Sequence, residues 1–332
     1  MGYISRITGM SLHPYLYSSM PNFQIDPARL NSGWTYYDRI QPEAEGETVL
    51  GFYTRRYPHS SQAEWRERIE TGAVRLNGRL TTPGTRLVRG QKLAYHRPPW
   101  QEPEVPRACA LLHKDPHVLV VAKPSGLPVL PGGHHLENTL LALVRERFSG
   151  RPAPVHRLGR GTSGIVLFAR SPKAKQALSQ DLHDGRITKI YRALAGGICA
   201  RDTFVIDCPI GRIPYPKIGY LHAVSPDGRP SRTKCRVLHR DPEQNRTLVH
   251  INLITGRPHQ IRIHLAAAGH PLVGDPLYAP GGGPISCPDG ALPLPGDCGY
   301  HLHAHQIRFV HPETGASLAV TCPPPKILQT VP

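Results

Sequence analysis

Acidic side chains are scarce in this chain of 332 residues: 24 Asp and Glu stand against 40 Lys and Arg, a formal charge of +16. Such an imbalance disfavours a basic partner and favours a polyanion, with nucleic acid the first candidate. Cysteine is thinly spread. Seven occur, at 109, 199, 208, 235, 287, 298 and 322, odd in number and never as C-x-x-C. That excludes a disulfide framework and a zinc ribbon, and suits an intracellular, reducing compartment. No apolar run approaches the ~20 residues of a membrane span, so no membrane partner is expected. The first 28 residues hold one base, Arg6, and one acid, Asp26, which is too little arginine for a typical organellar leader. Internal repeats and a Walker-type phosphate loop are also missing.

What is present divides into a small module and a large one. Residues 1–42 read as a loosely structured extension, and 43–97 as a compact α/β domain. Within it, Ser61-Gln-Ala-Glu64 has the pattern of a capping box that opens a helix running to about Gly72. Ala73–Leu76, the Asn77-Gly78 turn and Arg79–Thr82 read as a β-hairpin, with two more short strands punctuated by Pro83-Gly84 and Arg89-Gly90. Residues 98–110 are proline-rich and read as a linker.

The larger domain spans 111–325. His117–Ala122 reads as a buried strand, Glu137–Phe148 as a helix, and Lys189–Ala195 and Leu248–Ile254 as strands. Ser171, Pro172 and Gly185 mark a helix by its cap, first position and end. Gln260–Ala268 is a further helix, with Ile261, His264, Leu265 and Ala268 on one face and His259, Arg262 and Ala266 on the other. Residues 279–299 form a Gly/Pro-rich segment expected to be a surface loop.

One stretch, GRGTSG at 159–164, matches the dinucleotide fingerprint G-x-G-x-x-G. The fingerprint needs a strand before it and a helix opening at its last glycine. Here the order is reversed: RPAPVHRL precedes it and the apolar, strand-like IVLFA follows. A loop that feeds a strand aims no helix terminus at a phosphate. His301, His303 and His305 alternate as strand neighbours do, but no Cys or carboxylate completes a shell, so no metal site is expected.

Five segments then arrive in a fixed order: VVAKPSGLPV at 120–129, HRLGRGTSGIVLFAR at 156–170, KIYRAL at 189–194, TGRPHQIRIHLAAAGHPLVGDPLY at 255–278 and YHLHAHQIRFVHPETG at 300–315. The run from about 111 to 322 resembles the RluA-type RNA pseudouridine synthases. The 43–97 module resembles the small RNA-binding domain that often precedes that catalytic domain. The resemblance implies an α+β fold built on a mixed, largely antiparallel central sheet with flanking helices, and no cofactor. It also implies a monomer acting on structured RNA, ribosomal or transfer, that converts uridine to pseudouridine.

That reaction detaches a base from its sugar at nitrogen, turns it, and reattaches it through carbon. The base must leave its stack, which calls for a basic, aromatic-lined cleft. A carboxylate must act as nucleophile or base. By motif, Arg262 resembles the family's carboxylate-pairing arginine and Tyr191 its supporting ring. His156, Arg157, Arg160, Thr162 and Ser163 resemble the catalytic loop, with Lys123 and His259 as further RNA contacts.

The departure is at 159. The family loop reads HRLD, and this chain has Gly159 at the aspartate's position. Three accounts follow: catalysis lost and RNA binding kept, a carboxylate brought from elsewhere, or a different mechanism. Asp275 and Asp184 are the candidate carboxylates. A buried arginine without an anion would cost several kcal/mol, so Arg262 is expected to have a substitute, either an RNA phosphate or a displaced carboxylate.

Overall fold

A computed structural model describes residues 29–216, 218–285 and 292–330. The extension's first 28 residues and the centre of the Gly/Pro-rich segment, 286–291, lie outside the described residues.

The small domain is a four-stranded sheet of order β1-β4-β2-β3 under two helices. It runs β1 Trp34–Arg39, α1 Val49–Arg56, α2 Gln62–Glu70, β2 Val74–Leu76, β3 Arg79–Leu80 and β4 Lys92–Arg97. Local chemistry explains much of it. Ser61 accepts from the Glu64 amide while the Glu64 carboxylate accepts from the Ser61 amide, so the capping box forms as read. Asn77 and Gly78 both take positive φ, 50° and 79°, which is the primed turn that joins β2 to β3. Trp65, Tyr53, Ile69 and Leu93 make the core.

Two expectations fail here. Residues 34–39 are not loose extension: β1 pairs along the whole of β4, and Tyr36 stacks on Tyr95 at 6.1 Å. Its Trp-Thr-Tyr-Tyr run is strong strand sequence that gains pairing from a partner nearly sixty residues away. Only one strand, β4, follows the hairpin; residues 81–91 make turns and a single bridge from Thr48 to Arg86.

The proline-rich segment is docked rather than free. The Glu102 carboxylate is buried and accepts from the Asn31 side chain and from the amides of Glu137 and Asn138. Trp100 donates its indole N–H to the His134 carbonyl at 2.9 Å. Capturing those amides is also why the next helix starts at Leu140, with Thr139 as its cap, rather than at Glu137.

The large domain is built on a ten-stranded sheet whose main path runs β10-β13-β14-β9-β15-β8-β6-β5. In chain order its elements are β5 Ala110–Lys114, β6 Val118–Lys123, α3 Leu140–Arg147, β7 Ala153–Pro154, β8 Ser163–Ala169, α4 Pro172–His183, β9 Thr188–Gly196 and β10 Thr203–Ile206. They continue with a separate hairpin, β11 Ile210–Tyr215 and β12 Gly219–Val224, then β13 Thr233–Asp241, β14 Arg246–Leu253, α5 Gln260–Ala267, β15 Leu302–Val310 and β16 Ser317–Thr321. All pairings are antiparallel except one: β15 runs parallel to β8 at His303–Ser163 and Ala304–Gly164. The fold is α+β, with a mixed, mostly antiparallel sheet.

That parallel contact fixes the loop before β8. Gly164 sits at φ 106°, and a β-carbon there would lie 2.3 Å from the Ala304 carbonyl oxygen. Only glycine permits the approach. Helix α5 is buried on every side from Gln260 to Ala266, so the polar face read from its sequence does not meet solvent. The Gly/Pro-rich segment folds back over it: Gly281 donates to the Ala266 carbonyl, and Pro293 accepts from the Tyr215 hydroxyl. His303 and His305 both reach the Cys322 carbonyl, at 3.2 and 2.8 Å.

Candidate active site

The cleft forms where the loop of residues 156–162, the ends of α4 and β14, strand β9 and the N-terminus of α5 meet. It encloses about 510 Å³ and is walled by Arg157, Gly159, Lys189, Tyr191, Arg257, His259, Arg262 and Tyr300, among others. The wall is basic and aromatic. Among the described residues that line it there is no Asp or Glu.

The loop is clamped from beneath. Lys123 is 2 % exposed, and its ammonium donates to the carbonyls of Pro124, Leu127 and Arg160. The Gly126 amide also donates to Arg160, and the Ser125 hydroxyl to the Gly161 carbonyl at 2.7 Å. The Lys-Pro-Ser-Gly turn therefore holds two successive carbonyls of the loop. Burial pushes the Lys123 ammonium down to about 7.

The residues expected to touch RNA separate into two groups. Arg157 is exposed and lines the cleft, as do His156, Thr162 and His259. Lys123 does not fit an RNA contact, because it lies under the loop with its donors spent. Ser163 turns to β15, 2.9 Å from His303 Nδ1, and Arg160 donates to the Gly296 carbonyl. His156 Nε2 accepts from the Leu167 amide, and burial lowers its pKa to about 3, so the ring is a neutral acceptor that ties the loop to β8.

Arg262 has its anion. Its Nε and Nη2 each lie 2.7 Å from an oxygen of Asp275, a bidentate pair in which the side chains are 2 % and 0 % exposed. Nη1 donates to the Pro295 carbonyl at 3.3 Å. The guanidinium lies between two rings, 4.2 Å from the Tyr300 centroid and 5.1 Å from that of Tyr278. Burial, the largest influence, works against its charge, yet the Asp275 carboxylate together with Tyr300 and Tyr278 outweighs it and raises its pKa. Asp275 is also held by the amides of Leu277 and Tyr278. Asp184 caps α4, paired at 2.7 Å with Arg186, and is not part of the wall.

The place of the missing aspartate is occupied in part. A β-carbon on Gly159 would stand 2.9 Å from the Tyr300 hydroxyl and 3.5 Å from the Thr162 hydroxyl. Tyr300 and Thr162 are themselves 3.3 Å apart, oxygen to oxygen. Tyr191, the ring expected from the motif, is buried beside the cleft, and burial raises its hydroxyl pKa. Sequence reasoning missed Tyr300, Tyr278, Lys189 and Arg257. Only a contact map could have exposed Tyr300, since 138 positions separate it from Thr162.

A strand-built α+β domain with a basic, ring-lined cleft and a small docked α/β domain defines a class of nucleic-acid-acting proteins. The comparisons narrow it. The RNA pseudouridylate synthase family model matches residues 117–267. The chain is 43 % identical over 282 residues to an uncharacterized RNA pseudouridine synthase of Synechocystis sp., covering 84 % of this chain and 95 % of that one. It is 41 % identical to RNA pseudouridine synthase 5 of Arabidopsis thaliana, covering 91 % and 95 %. Among solved structures, human RNA Pseudouridylate Synthase Domain Containing 1 aligns with a TM-score of 0.53 at 26 % identity, covering 69 % of this chain and 89 % of that one. The chain belongs to the RNA pseudouridine synthase family.

Proposed function

We propose that this chain acts on RNA by taking an everted uridine into the cleft and isomerising it to pseudouridine. The observation that carries this reading is convergence. The His156–Leu158 and Thr162 ends of one loop, Tyr191 of β9 and Arg262 of α5 come from distant parts of the sequence and meet around one basic cleft. In the reaction the bond from N1 to the ribose C1′ breaks, the uracil turns, C5 bonds to C1′, the C5 hydrogen leaves as a proton, and N1 takes up a proton, so the product is an isomer of the substrate. Tyr191 would support the freed ring, and Arg157 would meet the phosphate backbone. The carboxylate bonded to Arg262 is Asp275. The same reading has a single chain working on ribosomal or transfer RNA in a reducing compartment.

One observation favours a second reading, an RNA-binding homologue without isomerase chemistry. Gly159 has no side chain, and both oxygens of Asp275 are bonded inside the protein. Removing a nucleophile leaves only what binding and orientation supply.

Tritium release from pooled unmodified RNA, labelled at uracil C5, separates the two. Release by the wild type, reduced in Tyr191→Ala, supports the isomerase. No release, with RNA binding that Arg157→Glu abolishes, supports the binding homologue. Neither release nor binding would overturn both.

A further inference from the structure

Isomerisation moves two protons: N1 gains one and C5 loses one. Among the described residues that line the cleft there is no Asp or Glu to carry them. Most of the other titratable groups there are committed. His156 accepts from the Leu167 amide, His259 is bonded to the Tyr278 hydroxyl, and both rings stay neutral. His183 pairs with Asp184 at the end of α4. Lys189 stands by Gly256, its Nζ 3.3 Å from where a β-carbon there would be, and not by the loop glycines. Tyr191 lies in the wall with burial acting on its hydroxyl and no charge beside it to favour ionisation.

Tyr300 differs from all of these. Its hydroxyl stands 2.9 Å from the point where a β-carbon on Gly159 would begin, and Thr162 Oγ1 is 3.5 Å from the same point. Beyond the adjoining residues, no other atom of the described residues lies within 4 Å of it. The phenol oxygen therefore sits where a side chain at 159 would start. Thr162 Oγ1 is within hydrogen-bond reach of it at 3.3 Å, and the Arg262 guanidinium lies 4.2 Å from the ring centre. Burial raises the hydroxyl's pKa and keeps it protonated at rest, while the charge of Arg262 and then the Thr162 bond act the other way and favour the phenolate. Asp275, itself paired with Arg262, and the Cys298 thiol oppose ionisation, and the Tyr278 phenol stands across Arg262.

We propose that Tyr300 is the acid and the base of this isomerisation, its hydroxyl standing in for the absent carboxylate. As the N1–C1′ bond breaks, its electron pair stays with the uracil and the phenol's proton passes to N1. That leaves a cationic C1′ and a phenolate whose charge, spread over the ring, lies against Arg262. The uracil turns, and the C5–C6 π pair forms the bond to C1′. The phenolate then takes the C5 proton, the C5–H pair restores the ring double bond, and Tyr300 is a phenol again. No second acid, base or nucleophile is consumed. The inference rests on the isomerase reading above and adds the group that moves the protons.

The test uses the full chain and measures tritium release from RNA labelled at uracil C5, together with RNA affinity and the urea midpoint. Tyr300→Phe keeps the ring on Arg262 and removes only the oxygen. It should lower kcat at least about 100-fold, the lower end for a proton-transfer group, with RNA affinity unchanged. Thr162→Val keeps the phenol and removes the hydroxyl beside it, so kcat should fall by less than about tenfold, the scale of one neutral hydrogen bond. A third variant, Tyr300→3,5-difluorotyrosine, carries a more acidic phenol. Because the phenol must begin protonated, its kcat should fall away at a lower pH than that of wild type. If Tyr300→Phe does not fold, the fluorinated chain, which keeps the hydroxyl, decides. A smaller loss in folded Tyr300→Phe, an equal loss in Thr162→Val, or a pH profile that fluorination leaves in place would overturn the inference. In each of those cases the wild type still releases tritium, so the isomerase reading stands. A wild type that releases none overturns both.

Discussion

The Tyr300 hydroxyl stands 2.9 Å from where a β-carbon on Gly159 would begin, and the ring's Cζ is 2.9 Å from the same point on Gly161. Two glycines in the loop and one tyrosine from the segment leading into β15 are therefore a single steric arrangement. The ring that fills the space also stacks on Arg262, at 4.2 Å. Returning the family's aspartate to position 159 is not a simple restoration, because the phenol is already there.

Gly159→Asp alone should destabilise the protein by about 1–3 kcal/mol, the usual cost of overpacking. Tyr300→Phe removes the oxygen nearest to the new β-carbon, so in that background the same change should cost less. The four proteins of the cycle, compared by urea midpoint, give the interaction directly. An equal cost in both backgrounds would mean that the Tyr300 contact is not what excludes a side chain. Tritium release from the double variant then asks whether a carboxylate at 159 adds turnover once it fits.

Arg262 and Asp275 form a buried pair, and removing one partner strands the other. Arg262→Ala or Asp275→Asn should each cost about 3–5 kcal/mol, whereas Arg262→Met with Asp275→Leu should cost less than either. Thermal or denaturant unfolding measures this. Loss of RNA activity in Arg262→Ala is therefore uninformative unless folding is checked beside it. A single variant as stable as wild type would show that the pair contributes little.

Local signals in the sequence were legible, and distant ones were not. The capping box at Ser61, the turn at Asn77-Gly78 and the Ser171-Pro172 helix start each depend on neighbours within a few residues. The order of motifs from 120 to 315 pointed to the fold and to most of the cleft. What could not be read depends on pairing across the chain: β1 on β4, β8 beside β15 and Tyr300 over Gly159, whereas Asp275 is one of two candidate carboxylates that only the fold separates. Helix α1 escaped for a different reason. Its Val-Leu-Gly-Phe-Tyr-Thr run is poor in helix formers, and packing of Val49, Phe52 and Tyr53 into the core decides its conformation.

Lys123 gives the loop clamp a pH signature. Burial lowers its pKa from 10.5 to about 7. Between those values the unfolded chain holds a proton that the folded chain has released, so stability rises with pH across that window. Below about 7 both states are protonated, and the full cost of the buried charge is present. Lys123→Met removes this term, along with the three bonds to the loop. The stability gap between wild type and Lys123→Met should therefore widen in favour of wild type from pH 7 to pH 10, by at most about 1.4 kcal/mol per unit. Denaturant unfolding at several pH values checks it, and a constant gap would show that Lys123 keeps an ordinary pKa.

His259 is the cleft histidine whose protonation the surrounding bonds decide. It sits in left-handed backbone, φ 56°, at the start of α5, a conformation that costs energy for a residue with a β-carbon. Its Nδ1 lies 2.9 Å from the Tyr278 hydroxyl. That hydroxyl donates its own proton to the His222 carbonyl at 2.8 Å, so the histidine must supply the proton between them. The neutral ring thus carries hydrogen on Nδ1 and leaves Nε2 as an acceptor in a cleft whose other polar groups are mostly donors. Burial, and then the charge of Arg262, lower its pKa to about 3. Between pH 5 and 8 the ring should stay neutral in the Nδ1–H form, visible by nitrogen-detected NMR of the imidazole, with no titration step. Tyr278→Phe removes the acceptor and should let the Nε2–H form appear. Acidifying from pH 7 to 5.5 should then tighten RNA binding only through other groups, leaving His259→Gln and wild type with the same pH response. A titration midpoint near 6.5 for His259 in the wild type would refute the assignment.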